Sequence, residues 1–157
     1  MRPAVDVWRY SVAAYAQPDV EAACLRLQDE HGQCVPLLLW RLWACAEGRA
    51  VDRALLDLAV AAARAWDEAA VAPLRKMRRG LKRPFPLIGE ASREALRGDI
   101  KAAELNAERM LLETLEAMTP APNGAAAAPG AALASLCKAW NGAAPDRELA
   151  ALARAAV

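Results

Sequence analysis

With 157 residues, the chain is long enough to bury a core without disulfide or metal staples, and its net charge of +1 gives, for the whole molecule, no reason to expect nucleic acid or membrane binding. Hydrophobic residues make up 56%, rich in alanine and poor in β-branched types, a balance that favours helix. The four cysteines, at positions 24, 34, 45 and 137, form no Cys-x-x-Cys pair, which excludes a zinc ribbon or thioredoxin motif.

A first helix is predicted over about 6–16, capped by Asp6, with Val5, Trp8, Val12 and Tyr15 on one face. Pro18 ends it. A second helix is predicted over about 19–31, with Asp19 as cap, Val20, Cys24 and Leu27 inward and Gly32 as its left-handed stop. Its last turn reads Leu27-Gln28-Asp29-Glu30-His31. Two acids at a helix C-terminus oppose the macrodipole at a cost of up to ~1 kcal/mol together, and a locally unfavourable choice of this kind marks a candidate site.

The third helix, about 35–46, is the one around which the rest is organised. Arg41 is its only charged residue. The run is too short to span a membrane, which takes ~20 apolar residues. Apolar on nearly every side, it belongs in the middle of a bundle, with Leu38, Leu39, Leu42 and Trp43 deepest. A fourth helix is predicted over about 53–82, with a kink or short break near 69–73 imposed by Pro73. Leu56, Ala59, Ala63, Trp66, Ala70, Leu74, Met77 and Leu81 follow one stripe along it. The segment 83–89 contains two prolines and reads as a stiff extended connection.

A fifth helix is predicted over about 90–118, divided at Gly98-Asp99, with Ile100, Ala103, Ala107, Met110, Leu111 and Leu115 buried. A flexible Pro/Gly/Ala loop is expected at about 119–131, then short helices at about 132–140 and 146–155. With no strand candidate, the fold expected is a single all-α domain over 1–157, a bundle of five to seven helices.

Several stretches resemble one family of uncharacterised proteobacterial proteins, DUF2390. They are Trp8, Tyr15-Ala-Gln-Pro-Asp-Val-Glu21, Cys24-Leu-Arg-Leu-Gln-Asp29, Gly32 and Leu37-Leu-Leu-Trp40. Further on come Ala65-Trp66, Pro73-Leu-Arg75, Arg78-Arg79-x-Leu81-Lys82 and Glu104-Leu-Asn-Ala-Glu-Arg109. The resemblance covers most of 5–115 and departs at Cys34, where the family pattern has Asp. It implies a bacterial, cytoplasmic, helical protein and brings no activity with it.

The basic segment is the clearest chemical feature. Arg75, Lys76, Arg78, Arg79, Lys82 and Arg83 place six cations in nine residues, and no acid occurs between Glu68 and Glu90. Removing those six leaves 14 of the 20 basic residues against 19 acids, so the chain is polarised. Arg75, Arg78, Arg79 and Lys82 share a helical face by spacing and suit an anionic partner: an acidic protein surface, nucleic acid, an anionic membrane surface or another phosphate-bearing molecule. The plainer reading is a solvated helix end, where cations are favoured.

Glu104 and Glu108 stack one turn apart, and pairing with Arg75 or Arg79 across a helix contact is expected of them. No Glu-x-x-His is present, so a di-metal site is not expected, nor any other metal. Gln28, Asp29, Glu104 and Glu108 are possible pocket residues, and Gln28 and Asp29 are also candidate partners for a buried Trp indole. His31 beside carboxylates has the composition of an acid–base pair or a metal ligand. Cys34, at a helix N-terminus, is placed where a thiol pKa falls. No nucleotide fingerprint or catalytic triad order is present, and no cofactor is expected.

No basic–apolar leader is read at Met1. The reading is a non-enzymatic cytoplasmic binding or adaptor protein that engages an anionic partner through its basic helix. The alternative is a small enzyme or carrier that holds a phosphate-bearing, lipid-like ligand in a bundle pocket.

Overall fold

The apolar run after Cys34 folds as the helix Val35–Ala46, and every residue from Val35 to Ala44 is buried. The computed structural model describes residues 3–125 and 127–155. The ends of the expected 1–157 domain (Met1, Arg2, Ala156 and Val157) and Ala126 of the expected loop lie outside the described residues. The helices are α1 (Val7–Tyr15), α2 (Pro18–Asp29), α3 (Val35–Ala46) and α4 (Arg53–Trp66), then a π-helical turn (Asp67–Val71) and α5 (Ala72–Gly80). They are followed by α6 (Glu90–Ala117), α7 (Pro129–Asn141) and α8 (Asp146–Ala155), with no strand among the described residues. Since α4, the π turn and α5 run on without a break, the fold is an all-α bundle of seven rods.

α3 is the central rod, and α1, α2, α4, α6 and α7 all pack on it. Trp40, Leu42 and Trp43 are fully buried. The indole of Trp40 donates to Thr119 Oγ1 at 2.9 Å and that of Trp43 to the Val5 carbonyl at 2.7 Å. Trp66 donates to the Ala107 carbonyl and Trp140 to the Gly32 carbonyl, both at 2.8 Å. Gln28 and Asp29 are therefore not indole partners. Each of these four indoles reaches a carbonyl or hydroxyl of the segment packed directly on it.

Several boundaries and faces differ from the sequence expectation. α1 is capped as expected, Asp6 accepting from the Arg9 N–H at 2.8 Å. Its buried face, however, is Val7, Ser11 and Ala14, while Val12 is 51% exposed. α2 starts at Pro18 behind Gln17 rather than at an Asp19 cap, because proline at the first helical position has its φ already set. The break near Pro73 is the π turn. Proline has no N–H to give, and its ring crowds the carbonyl four residues back, that of Ala69, so the ladder widens there instead of snapping. α6 runs undivided through Gly98 for 28 residues. Ala103 and Met110 face outward, and Glu104 takes a buried place on the inward stripe.

Two anchors fix the segments beside the site. The carbonyl of Gly48, a residue held at φ +63°, accepts from the Asn123 and Ala125 N–H groups, tying residues 123–125 to the end of α3. At the far end of α2, Asn141 Nδ2 donates to the His31 carbonyl at 2.8 Å. Gln33 Nε2 in turn donates to Asn141 Oδ1 and to the Ala143 carbonyl. The turn after Asp29 is thereby pinned by α7.

Candidate functional site

α5 and α6 pack side by side, and the arginines of the basic segment divide between two directions. Arg75 Nε donates to Glu104 Oε1 at 3.0 Å and Arg75 Nη2 to Glu108 Oε1 at 3.2 Å. Arg78 grips Glu104 through both Nε and Nη2. The expected contact of Glu104 or Glu108 with a basic-helix arginine is present, made by Arg75 and extended by Arg78. These side chains are mostly shielded from solvent: 16% exposed for Arg75, 18% for Arg78 and 8% for Glu104. A shielded, multiply bonded pair resists salt, whereas an exposed one does not.

Arg79 turns the other way, to α2, where Nη2 donates to Asp29 Oδ1, an oxygen that also receives Gln28 Nε2 at 3.3 Å. The unfavourable acid at the C-terminus of α2 is thus partnered from outside its own helix. α5 ends at Gly80, so Lys82 sits in the following turn and not on the helical face that the spacing suggested. Lys82 and Lys76 are exposed and make no ion pair among the described residues.

The electrostatics separate the two glutamates. Burial pushes the Glu104 carboxyl up, but the hydrogen bonds and charges of Arg78 and Arg75 outweigh it, and the group is held below its ordinary value. At Glu108 burial wins over Arg75, the neighbouring Glu104 charge adds to it, and the carboxyl is raised. Asp29 is pushed up by its partial burial and drawn down more strongly by Arg79 and Gln28, ending lowered. Burial also raises Asp67, with Arg75 offsetting part of it.

Beside this network runs an open groove of about 630 Å³ between α1, α2, α3 and α6. Its walls are Trp8, Val12 and Tyr15 from α1, Leu25 and Gln28 from α2, Pro36 and Leu39 from α3, and Leu105 and Leu112 from α6. Glu21, Arg78, Lys101, Glu104 and Glu108 bring charge to it. Three of the large apolar side chains left exposed, Val12, Leu25 and Leu105, meet there. A second cavity of about 210 Å³ lies across Gln28, lined by Gln33, Cys34, Asp67, Arg75 and Trp140 among others.

The residues named from sequence are therefore brought together in part. Arg75, Arg78, Glu104 and Glu108 form one cluster, with Asp29, Gln28 and Arg79 at its margin, while Lys82 stands apart. His31 enters only through its backbone carbonyl, and no three His, Cys, Asp or Glu side chains gather as a metal site among the described residues. The helix N-terminus does not activate Cys34, since burial pushes its thiol up to about 12. Burial likewise raises Cys24 to about 12 and Cys137 to about 11, leaving both as protonated thiols at neutral pH.

Sequence reasoning missed the groove and the tip of the α5–α6 connection, where Leu87 is 96% exposed and Ile88 57%. Trp8, Val12 and Tyr15 were legible as a stripe. What was not legible is that the stripe also walls a groove, with Trp8 and Tyr15 half-buried against the core and Val12 left exposed.

No curated protein and no solved structure matches the chain. One family model does, that of the proteins of unknown function DUF2390, over residues 6–115. That span contains α1 to α5, most of α6 and the whole ionic cluster, and the chain belongs to the DUF2390 family.

Proposed function

We propose that the chain is a non-catalytic binding module of the cytoplasm, and that it engages an anionic partner through the outward cations of its basic segment. The observation that carries this reading is the division of that segment. Arg75 and Arg78 are consumed by Glu104 and Glu108, so the binding role falls to Lys76, Arg79, Lys82 and Arg83. Lys76, Lys82 and Arg83 are exposed, and Arg79 is 49% exposed in a pair that an incoming anion can rearrange. Exposed ion pairs are worth ~0–1 kcal/mol singly, so the four act as a set. The cytoplasmic placement is supported by four unbridged cysteines, three of them buried.

The test is retention on immobilised heparin as a generic polyanion. The wild type is expected to elute at moderate salt, and Lys76→Glu/Lys82→Glu/Arg83→Glu to elute at clearly lower salt with its fold intact by circular dichroism. Equal elution of the two would overturn the reading.

The carrier reading retains one supporting observation, a groove of a size usual for small-molecule sites, ~300–1,000 Å³. A phosphate-bearing ligand fits it poorly. Arg78 is already bonded to Glu104, and an anion entering there would meet three carboxylates, Glu21, Glu104 and Glu108. Native mass spectrometry that retained a bound phosphate ester would restore that reading.

A further inference from the structure

We propose that the α5–α6 connection is a membrane-surface anchor. Leu87 and Ile88 enter the interfacial layer of a bilayer, and Lys76, Lys82 and Arg83 contact anionic lipid headgroups. This rests on the anionic-partner reading above and names its partner as a lipid surface.

The first observation is the tip itself. A single exposed leucine is ordinary, but here Leu87, 96% exposed, and Ile88, 57% exposed, are adjacent at the far end of a helical hairpin. The helices leading in and out add Met77 and Leu96, about half exposed. Arg97 Nε donates to the Arg78 carbonyl at 3.3 Å, which places Leu96 and Met77 beside the same junction.

The second observation is that the tip is held in place. Pro84 and Pro86 stiffen it, the Ile88 N–H closes a turn onto the Phe85 carbonyl at 3.1 Å, and the buried Arg93 donates to the Arg83 carbonyl at 3.2 Å. The leucine is displayed by a built turn.

The third observation is charge. Lys82 and Arg83 immediately precede the tip, and no acid occurs from Ala69 to Gly89. The two acids that follow are occupied, Glu90 by Arg93, and Glu94 by Arg93 and Arg97. Stable peripheral binding takes two signals, and an apolar insertion beside a polybasic patch supplies both. An acidic protein is the weaker fit. A stable protein interface needs roughly 1,000 Å² of matched surface, whereas a narrow protruding tip needs a surface that yields around it.

The experiment is vesicle co-sedimentation with the full chain, using phosphatidylcholine alone and phosphatidylcholine mixed with phosphatidylglycerol, beside heparin retention. Wild type is expected to sediment with the mixed vesicles only. Leu87→Ser/Ile88→Ser is expected to lose roughly tenfold or more in partitioning while eluting from heparin as wild type does. Lys82→Glu/Arg83→Glu should lose both. If the tip variant sediments like wild type, the lipid proposal fails and the anionic-partner reading stands. If wild type binds neither vesicles nor heparin, both fail. If light scattering shows a wild-type dimer that the tip variant abolishes, with no vesicle binding, the tip is a self-association surface and the proposal is overturned.

Discussion

Glu104 and Glu108 stand one turn apart on α6 and share Arg75, yet the structure gives them opposite energetic signs. Glu104 has a lowered carboxyl, so its stabilisation is present above the ordinary carboxylate value and lost as pH falls through the lowered one. Glu108 has a raised carboxyl, so the folded state favours its protonated form, and stability declines as pH rises through the raised value. Glu104→Gln is therefore expected to cost ~1.5–3 kcal/mol at neutral pH, the usual range for hydrogen bonds to a charged group. Glu108→Gln should cost nothing or stabilise slightly. Urea melts at about pH 7 and about pH 2.5, either side of the ordinary carboxylate range, check this, because the gap between the variants should close in acid. A larger loss for Glu108→Gln at neutral pH would contradict the assignment. At this scale the sequence was half legible. The i, i+4 spacing announced that the two glutamates share a face. Which one the arginines would claim depends on the approach of α5, which no spacing encodes. The same holds for Trp40, whose partner Thr119 lies 79 residues away.

Among the elements, the π turn is the joint that aims the arginines. A turn closed by i→i+5 bonds holds one residue more than an α turn, so Asp67–Val71 carries one extra residue between α4 and α5. Pro73 announced a disturbance from sequence, and its position was legible to within a few residues. Its form was not, since a kink, a break and a π turn answer the missing N–H equally well until the packing of α5 on α6 selects one. Deleting the exposed Ala69 together with Pro73→Ala should convert the turn to regular helix while leaving Arg75 and Arg78 directed at Glu104. The deletion variant is expected to melt within a few degrees of wild type. Its double-mutant coupling between Arg78→Gln and Glu104→Gln should be undiminished. Loss of that coupling would show that the π turn sets the register of α5 in another way. Gly98 is the converse case. It reads as a helix break, yet α6 passes through it, because a glycine costs only ~1 kcal/mol in a helix of this length.

Over the whole molecule, α3 organises the core as its composition dictated, because a helix apolar on nearly every side has nowhere else to go. The surface was less legible. Composition revealed that charge is polarised along the chain but not that tertiary contacts sort the basic segment into an inward pair and an outward set. The binding role of the outward cations rests on that sorting. Its most direct test compares two variants that each remove two positive charges from the same segment, Arg75→Gln/Arg78→Gln and Lys76→Gln/Lys82→Gln. The measurement is the salt concentration at which each elutes from heparin, with the urea midpoint taken on the same samples. The inward double variant is expected to lose stability and, where folded, to elute close to wild type. The outward double variant should keep its midpoint and elute at lower salt. An outward variant that elutes with wild type, or a folded inward variant that loses as much retention as the outward one, would contradict the division of the basic segment.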